Sequence, residues 1–240
     1  MVINRETSLI MHVFTDGIIS SSGGGSVVNP LWDGLLAYYK ADGTPNDALG
    51  NYNGVLTNGA TYGTGIIGQG FSTDGVASYI DFGTSFPIIT GDMTLSFWFK
   101  GEWKGANAGG LDRAGGGSDR GFIFGSNNTG TRLDFFIAPT NSSLKSIQHS
   151  VTFSTTDWNH IVGVFKINEY MKLFHQGVEV ASTTSSIPNQ QIQSSSQPMT
   201  FLGTRNKLDG IGDELAIFTT AKTSDEVSEL WNSGNGLQYS

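Results

Sequence analysis

The chain has 240 residues, 13 Lys and Arg against 21 Asp and Glu, a net charge of -8, 33 Gly and no Cys. Low charge with abundant glycine favours a turn-rich β fold and excludes a coiled coil or helical bundle. The acidic balance argues against nucleic acid or an anionic membrane surface as a partner, because both recruit cationic patches. The lack of Cys removes disulfides, thiolate metal sites and Cys nucleophiles.

Met1 lacks the basic start and unbroken apolar run of a secretory signal, and no apolar stretch reaches the roughly 20 residues of a membrane span. Residues 1–19 contain SLIMHVFTDGII, apolar enough for a strand but too short to fold alone, so they read as a docking arm. The SSSGGGS stretch within residues 20–29 reads as a flexible linker, and residues 30–240 form the body.

In the body, short runs rich in β-branched and aromatic residues recur between Gly, Asn, Asp and Pro. They are LLAYY, YIDF, MTLSFWFK, RLDFFIA, HIVGVFK, YMKLFHQ, VEVAST, MTFLG and DELAIF. This spacing predicts an all-β, two-sheet antiparallel jelly-roll sandwich. In MTLSFWFK, Met93, Leu95, Phe97 and Phe99 alternate onto one face while Trp98 falls on the other, so both faces of that strand are expected to be covered. Gln176-Gly177 predicts a tight hairpin. One short C-terminal helix is expected, with Thr223 and Glu226 as a capping box, Val227, Leu230 and Trp231 on its docking face, and Gly234 as its left-handed end. Two polar stretches, residues 101–121 and 184–198, read as long loops that could carry specificity.

The ordered blocks LLAYYKADGTPNDALGNYNGVLTNGATYGTGIIGQGFSTDGVASYIDF, MTLSFWFK, WNHIVGVFK, KLFHQGVEVAS and LDGIGDELAIFTTAKTSDEVSELWNSG cover most of residues 30–236. In that order they resemble the laminin G-like group of the concanavalin A-like lectin/glucanase superfamily. The resemblance implies a jelly roll that binds glycans or proteins and often holds a structural calcium ion. Its acidic positions fall on Asp47, Asp74, Asp213 and Glu214. Carboxylates with loop carbonyls suit such a hard cation. The residues themselves leave the alternative that Asp47 and Asp74 accept backbone N–H bonds in turns, while Asp213 or Glu214 pairs with a base. The hairpin departs from the usual Asp-Gly of the family in having Gln176-Gly177.

Hydrolysis on this fold needs two carboxylates flanking a scissile bond. Asp213 and Glu214 are adjacent and are expected on opposite faces of a strand, so no enzyme is expected. The four histidines have no metal-ligand spacing, and His160 reads as a packed residue. Trp103, in a Gly-rich polar context, is the candidate for an exposed ligand-binding indole. The arm, linker and body together resemble small bacteriophage structural proteins. The expected role is therefore a non-enzymatic display module of a virion, a capsid decoration or a tail or fibre protein. Its arm would meet a capsid or tail partner, its body would meet a cell-surface glycan, and homo-oligomers are compatible with this. The expected location is the virion surface or the extracellular space. The alternative is a free or enzyme-appended carbohydrate-binding lectin domain.

Overall fold

The computed structural model describes residues 18–20, 26–105, 109–114, 120–127, 129–139, 144–189, 196–203 and 205–240. Two short strands, β1 (Ile18–Ser20) and β2 (Ser26–Val28), pair antiparallel as a sheet of their own. The described ends of the Gly/Ser stretch thus belong to a hairpin. The rest of the expected arm, residues 1–17, and residues 21–25 lie outside the described residues.

The body follows in chain order as β3 (Leu35–Tyr39), β4 (Val55–Thr57), β5 (Thr61–Thr64), β6 (Gln69–Asp74), β7 (Tyr79–Asp81), β8 (Met93–Gly105), β9 (Gly109–Ala114) and β10 (Arg120–Ser126). It continues with β11 (Arg132–Ile137), β12 (Lys145–Ser150), β13 (Asn159–Lys166), β14 (Tyr170–His175), β15 (Val178–Thr183), β16 (Thr200–Phe201), β17 (Asn206–Phe218) and the helix α1 (Ser224–Trp231). A seven-stranded sheet has the order β12-β11-β10-β9-β16-β7-β4, and an eight-stranded sheet has the order β15-β14-β13-β8-β17-β6-β5 with β3 also on β17. Every pairing is antiparallel, giving the expected two-sheet jelly-roll sandwich with one short C-terminal helix.

The core lies between the sheets because strand alternation sends one set of side chains inward. Met93, Leu95, Phe97 and Phe99 of β8 are fully buried there, facing Leu133, Phe135 and Ile137 of β11 and Phe124 of β10. Phe97 lies edge-on to Phe124 at 5.5 Å and to Phe201 at 5.0 Å, geometries that favour aromatic pairs.

The outer face of the eight-stranded sheet is covered. Thr94, Ser96 and Trp98, on the other side of β8, are buried as well. α1 lays Val227 on Val162, Val164 and Phe174, and Leu230 on a cluster of Leu31, Trp32, Tyr38 and Phe218, against which Leu237 and Tyr239 of the C-terminal tail also pack. The capping box forms as the sequence indicates: the Thr223 hydroxyl accepts the Glu226 N–H while the Glu226 carboxylate accepts the Thr223 N–H at 2.7 Å. The helix ends earlier than expected, with Asn232 rather than Gly234 as the left-handed cap at φ 48°. Trp231 packs instead across Gly177, whose φ of 73° with Gln176 at 52° makes the expected tight hairpin turn. No helix among the described residues is long and apolar enough to cross a membrane.

The first expected long loop is largely strand. β8 runs on through Trp103 to Gly105 because β17 pairs with it from Asn206 to Phe218, and β9 starts at Gly109. Residues 106–108, residues 115–119 of the glycine-rich AGGGSDRG run, and residues 190–195 of the second long loop lie outside the described residues.

Candidate functional site

The sequence-selected residues occupy three kinds of place. Asp47 is a turn clamp. Its Oδ1 accepts the N–H groups of Tyr38 at 2.9 Å and Leu49 at 3.1 Å, and its Oδ2 accepts those of Asn51 at 3.1 Å and Tyr52 at 3.2 Å. Asp74 does the same, accepting the N–H groups of Val76, Ala77 and Ser78 and the Ser78 hydroxyl, and these bonds hold its carboxyl well below the usual range. Both carboxylates are committed to backbone donors.

Trp103 is not an exposed loop residue. It sits in β8 at 4% exposure, edge-on to Phe99 at 5.0 Å, because the long β8–β17 pairing carries it into the core. That corrects the expectation of a sugar-stacking indole at this position.

Asp213 and Glu214 are both buried at an irregular point of β17. Glu214 has a φ of 49°, and the β17 register shifts between Asp213 and Ala216, so a bulge inserts one extra residue. The strict alternation that would separate adjacent side chains is thereby lost, which corrects the opposite-face expectation. Asp213 Oδ2 accepts the N–H groups of Ile66 at 2.9 Å and Ile67 at 3.2 Å. Glu214 Oε1 accepts from the Gln238 amide at 2.8 Å, and the same amide reaches Asp42 at 3.3 Å. Burial pushes the Asp213 carboxyl up to about 7 and the Glu214 carboxyl up to about 8. Glu214 Oε2 is buried with no hydrogen-bond partner, and among the described residues neither side chain forms a salt bridge. Asp213 Oδ1 accepts the Glu214 N–H at 2.9 Å, so both Asp213 oxygens serve backbone donors and the Glu214 Oε2 is the one oxygen of the pair left for a hard cation to use. The four positions do not form one ligand set. Among the described residues no group of three or more His, Asp or Glu stands where it could hold a metal ion.

His160 is fully buried, stacked on Trp98 at 4.7 Å, with Nε2 2.9 Å from the Ser96 hydroxyl. Burial lowers its pKa to about 3, so it is neutral and structural.

The outer face of the seven-stranded sheet differs in kind. Leu133, Phe135 and Ile137 point inward, so Arg132, Asp134 and Phe136 point outward. Register places Ser146, Phe136, Ile123, Asp112, Thr200 and Asp81 in one row across β12, β11, β10, β9, β16 and β7. Phe136 and Ile123 are half-buried, and Ser146 and Gln148 are exposed. Asp134 is fully buried although it faces outward, because Arg132 lies over it with Nε at 2.6 Å and Nη2 at 3.0 Å. Burial raises its carboxyl and the guanidinium pulls it back down. Asp112, 3% exposed, has Arg205 Nε at 3.8 Å. Sequence reasoning took RLDFFI only as a strand. The i, i+2 spacing of Arg132, Asp134 and Phe136 was the available signal that they share a face.

Two stacked antiparallel sheets, one of them half-exposed on its outer face at Phe136, Ile123, Ser146 and Gln148, define a lectin-type jelly roll. The family described as the concanavalin A-like lectin/glucanases superfamily matches residues 74–228, and the chain belongs to it. No curated protein matches the chain at the level of sequence. Among solved structures it is similar to domain 4 of an extracellular arabinanase from Geobacillus stearothermophilus, in complex with arabinotriose. That match has a TM-score of 0.64 and 19% identity, and covers 81% of this chain and 97% of that one. It is also similar to the binding domain of Paraclostridial mosquitocidal protein 1, with a TM-score of 0.64, 17% identity and coverage of 85% of this chain and 53% of that one. The binding domain of botulinum neurotoxin DC in complex with SialylT matches with a TM-score of 0.61 and 14% identity, over 85% of this chain and 52% of that one. The chain thus spans about half the length of these toxin domains.

Proposed function

We propose that the protein is a non-enzymatic module that binds carbohydrate or a glycosylated receptor through the outer face of the seven-stranded sheet. The observation that carries this reading is the contrast between that face and the outer face of the eight-stranded sheet, which α1 and the C-terminal tail fill. The arabinanase domain and the toxin domain with SialylT, both solved with such ligands, support it through their shared fold. Against catalysis stands the burial of the acids. Asp213 is 0% and Glu214 3% exposed, and Asp134 and Asp112 are each beside an arginine, so none of these four carboxylates stands free over an open cleft.

The finer reading is display on a virion as a decoration, tail or fibre protein, at the virion surface or outside the cell. A capsid or tail partner would be met through residues 1–19, and many copies would convert weak sites to avidity. The separate β1–β2 hairpin supports a separable arm. A structural calcium ion at Asp213 and Glu214 belongs to this reading. The match to nearly the whole length of an arabinanase domain favours the second reading, a lectin domain that is free or appended to an enzyme.

The test is a glycan array with the full chain, in calcium and again in chelator. Bound glycans are expected, and an array without any contradicts the binding role. Deleting residues 1–26 is expected to abolish particle assembly and to spare glycan binding. Normal assembly of the truncated protein contradicts a docking arm.

A further inference from the structure

Resting on that binding reading, we infer that the outer face of the seven-stranded sheet carries a site for an uncharged oligosaccharide laid across β11, β10 and β9 on Phe136 and Ile123. The core does not need these two side chains, because Leu133, Phe135 and Ile137 of β11 and Phe122 and Phe124 of β10 already fill it. Phe136 and Ile123 are register partners and half-buried, so they form a continuous apolar plate on the outside of the sheet. A plate of this kind matches the C–H face of a sugar ring, which has an apolar face and a hydroxylated rim.

The polar surroundings fit the same ligand. Beside the plate, Gly125 pairs with Gly110, and both are buried in the sheet. No side chain fits at Gly125: its φ is 143°, and a Cβ would stand 2.2 Å from the Gly109 carbonyl oxygen. On the far side, the exposed Gln148 of β12 donates one amide hydrogen to Asp134 and keeps its carbonyl oxygen and second N–H for sugar hydroxyls. From β12 to β9 the face crosses three strand spacings, about 14 Å, enough for a short oligosaccharide.

Charge decides between neutral and acidic sugars. Asp134 is covered by the Arg132 fork and Asp112 is beside Arg205, so the ionic groups flanking the plate neutralise one another. The whole chain carries -8. An acidic glycan would meet long-range repulsion, and the two described arginines of this face are already engaged with Asp134 and Asp112.

The experiment uses the full chain on an array of arabino-, gluco- and galacto-oligosaccharides beside sialylated glycans, followed by calorimetric titration of the strongest neutral binder. Phe136→Ala is expected to weaken binding about tenfold while lowering the melting temperature by no more than about 4 °C. Phe136→Leu, which keeps the apolar volume without the ring, guards against a folding defect and is expected to weaken binding in the same direction. Lys172→Ala, on the opposite sheet, is expected to leave affinity unchanged. Neutral glycans bound equally well by both Phe136 variants would overturn the site while leaving the binding role intact. Preference for sialylated glycans would overturn the uncharged class. No binding to any glycan would overturn both.

Discussion

The two outer faces of this sandwich use similar residue types to opposite ends. On the eight-stranded sheet Trp98 lies at 2% exposure, because His160 stacks on it and the C-terminal segment passes over it. Lys222 is held there too, its ammonium 3.0 Å from the Asp33 carbonyl and 3.1 Å from Glu226, over the Phe218 ring. On the seven-stranded sheet, Phe136 keeps part of its ring in water and the arginines fold over the acids. An outward aromatic becomes core where a later segment of chain covers it, as at Trp98, and stays half-exposed where none of the described residues does, as at Phe136.

The largest expected effect comes from breaking the covered face. Trp98→Ala should cost about 3–5 kcal/mol in chemical denaturation, because it leaves a cavity under the tail. Phe136→Ala, the equivalent truncation on the open face, should cost no more than about 1 kcal/mol. Equal losses would show that the two faces are packed alike.

Next in size is a pH effect centred on the covered side. The raised pKa values of Asp213 and Glu214 mean that the folded state holds protons the unfolded chain releases. That contribution is full below the ordinary carboxylate range near pH 4 and is lost as pH rises through 7 to 8. Melting temperature in chelator should therefore fall between pH 5 and pH 8, and calcium should restore it more at pH 8 than at pH 5. Asp213→Asn with Glu214→Gln should flatten the slope and abolish the calcium response. His160 works in the other direction. Its pKa is lowered to about 3, so its contribution is present above the unfolded value near 6.5 and is lost as pH falls toward 3. His160→Gln should reduce the loss of stability on the acid side.

A smaller effect comes from the edge of the cover. Thr223→Ala removes the capping box and should cost about 1 kcal/mol in thermal unfolding. Binding on the open face should not change.

Much of the fold was legible because it is written in local patterns. The alternation of Met93, Leu95, Phe97 and Phe99 against Ser96 and Trp98 marked a strand covered on both sides. Gln176-Gly177 and the Thr223 to Glu226 box marked a turn and a helix start. The site was less legible because it depends on distant pairings. Nothing local announced that Glu214 would take a left-handed conformation, and that bulge is what breaks the strand alternation between two adjacent buried acids. Trp103 read as a loop residue because its Gly-rich neighbours hid a pairing with Leu208 of β17. Arg132 and Asp134 showed their shared face in their spacing, but Asp112 and Arg205 meet only through the sheet order.

The most direct test is hydrogen exchange on the full chain with and without the strongest neutral oligosaccharide from the array. Slowed exchange confined to residues 120–137 and 145–150, with residues 160–175 unchanged, is the expected result. Slowing confined to residues 160–175, or to the loop at 65–69, would place the ligand on the covered side and contradict the account.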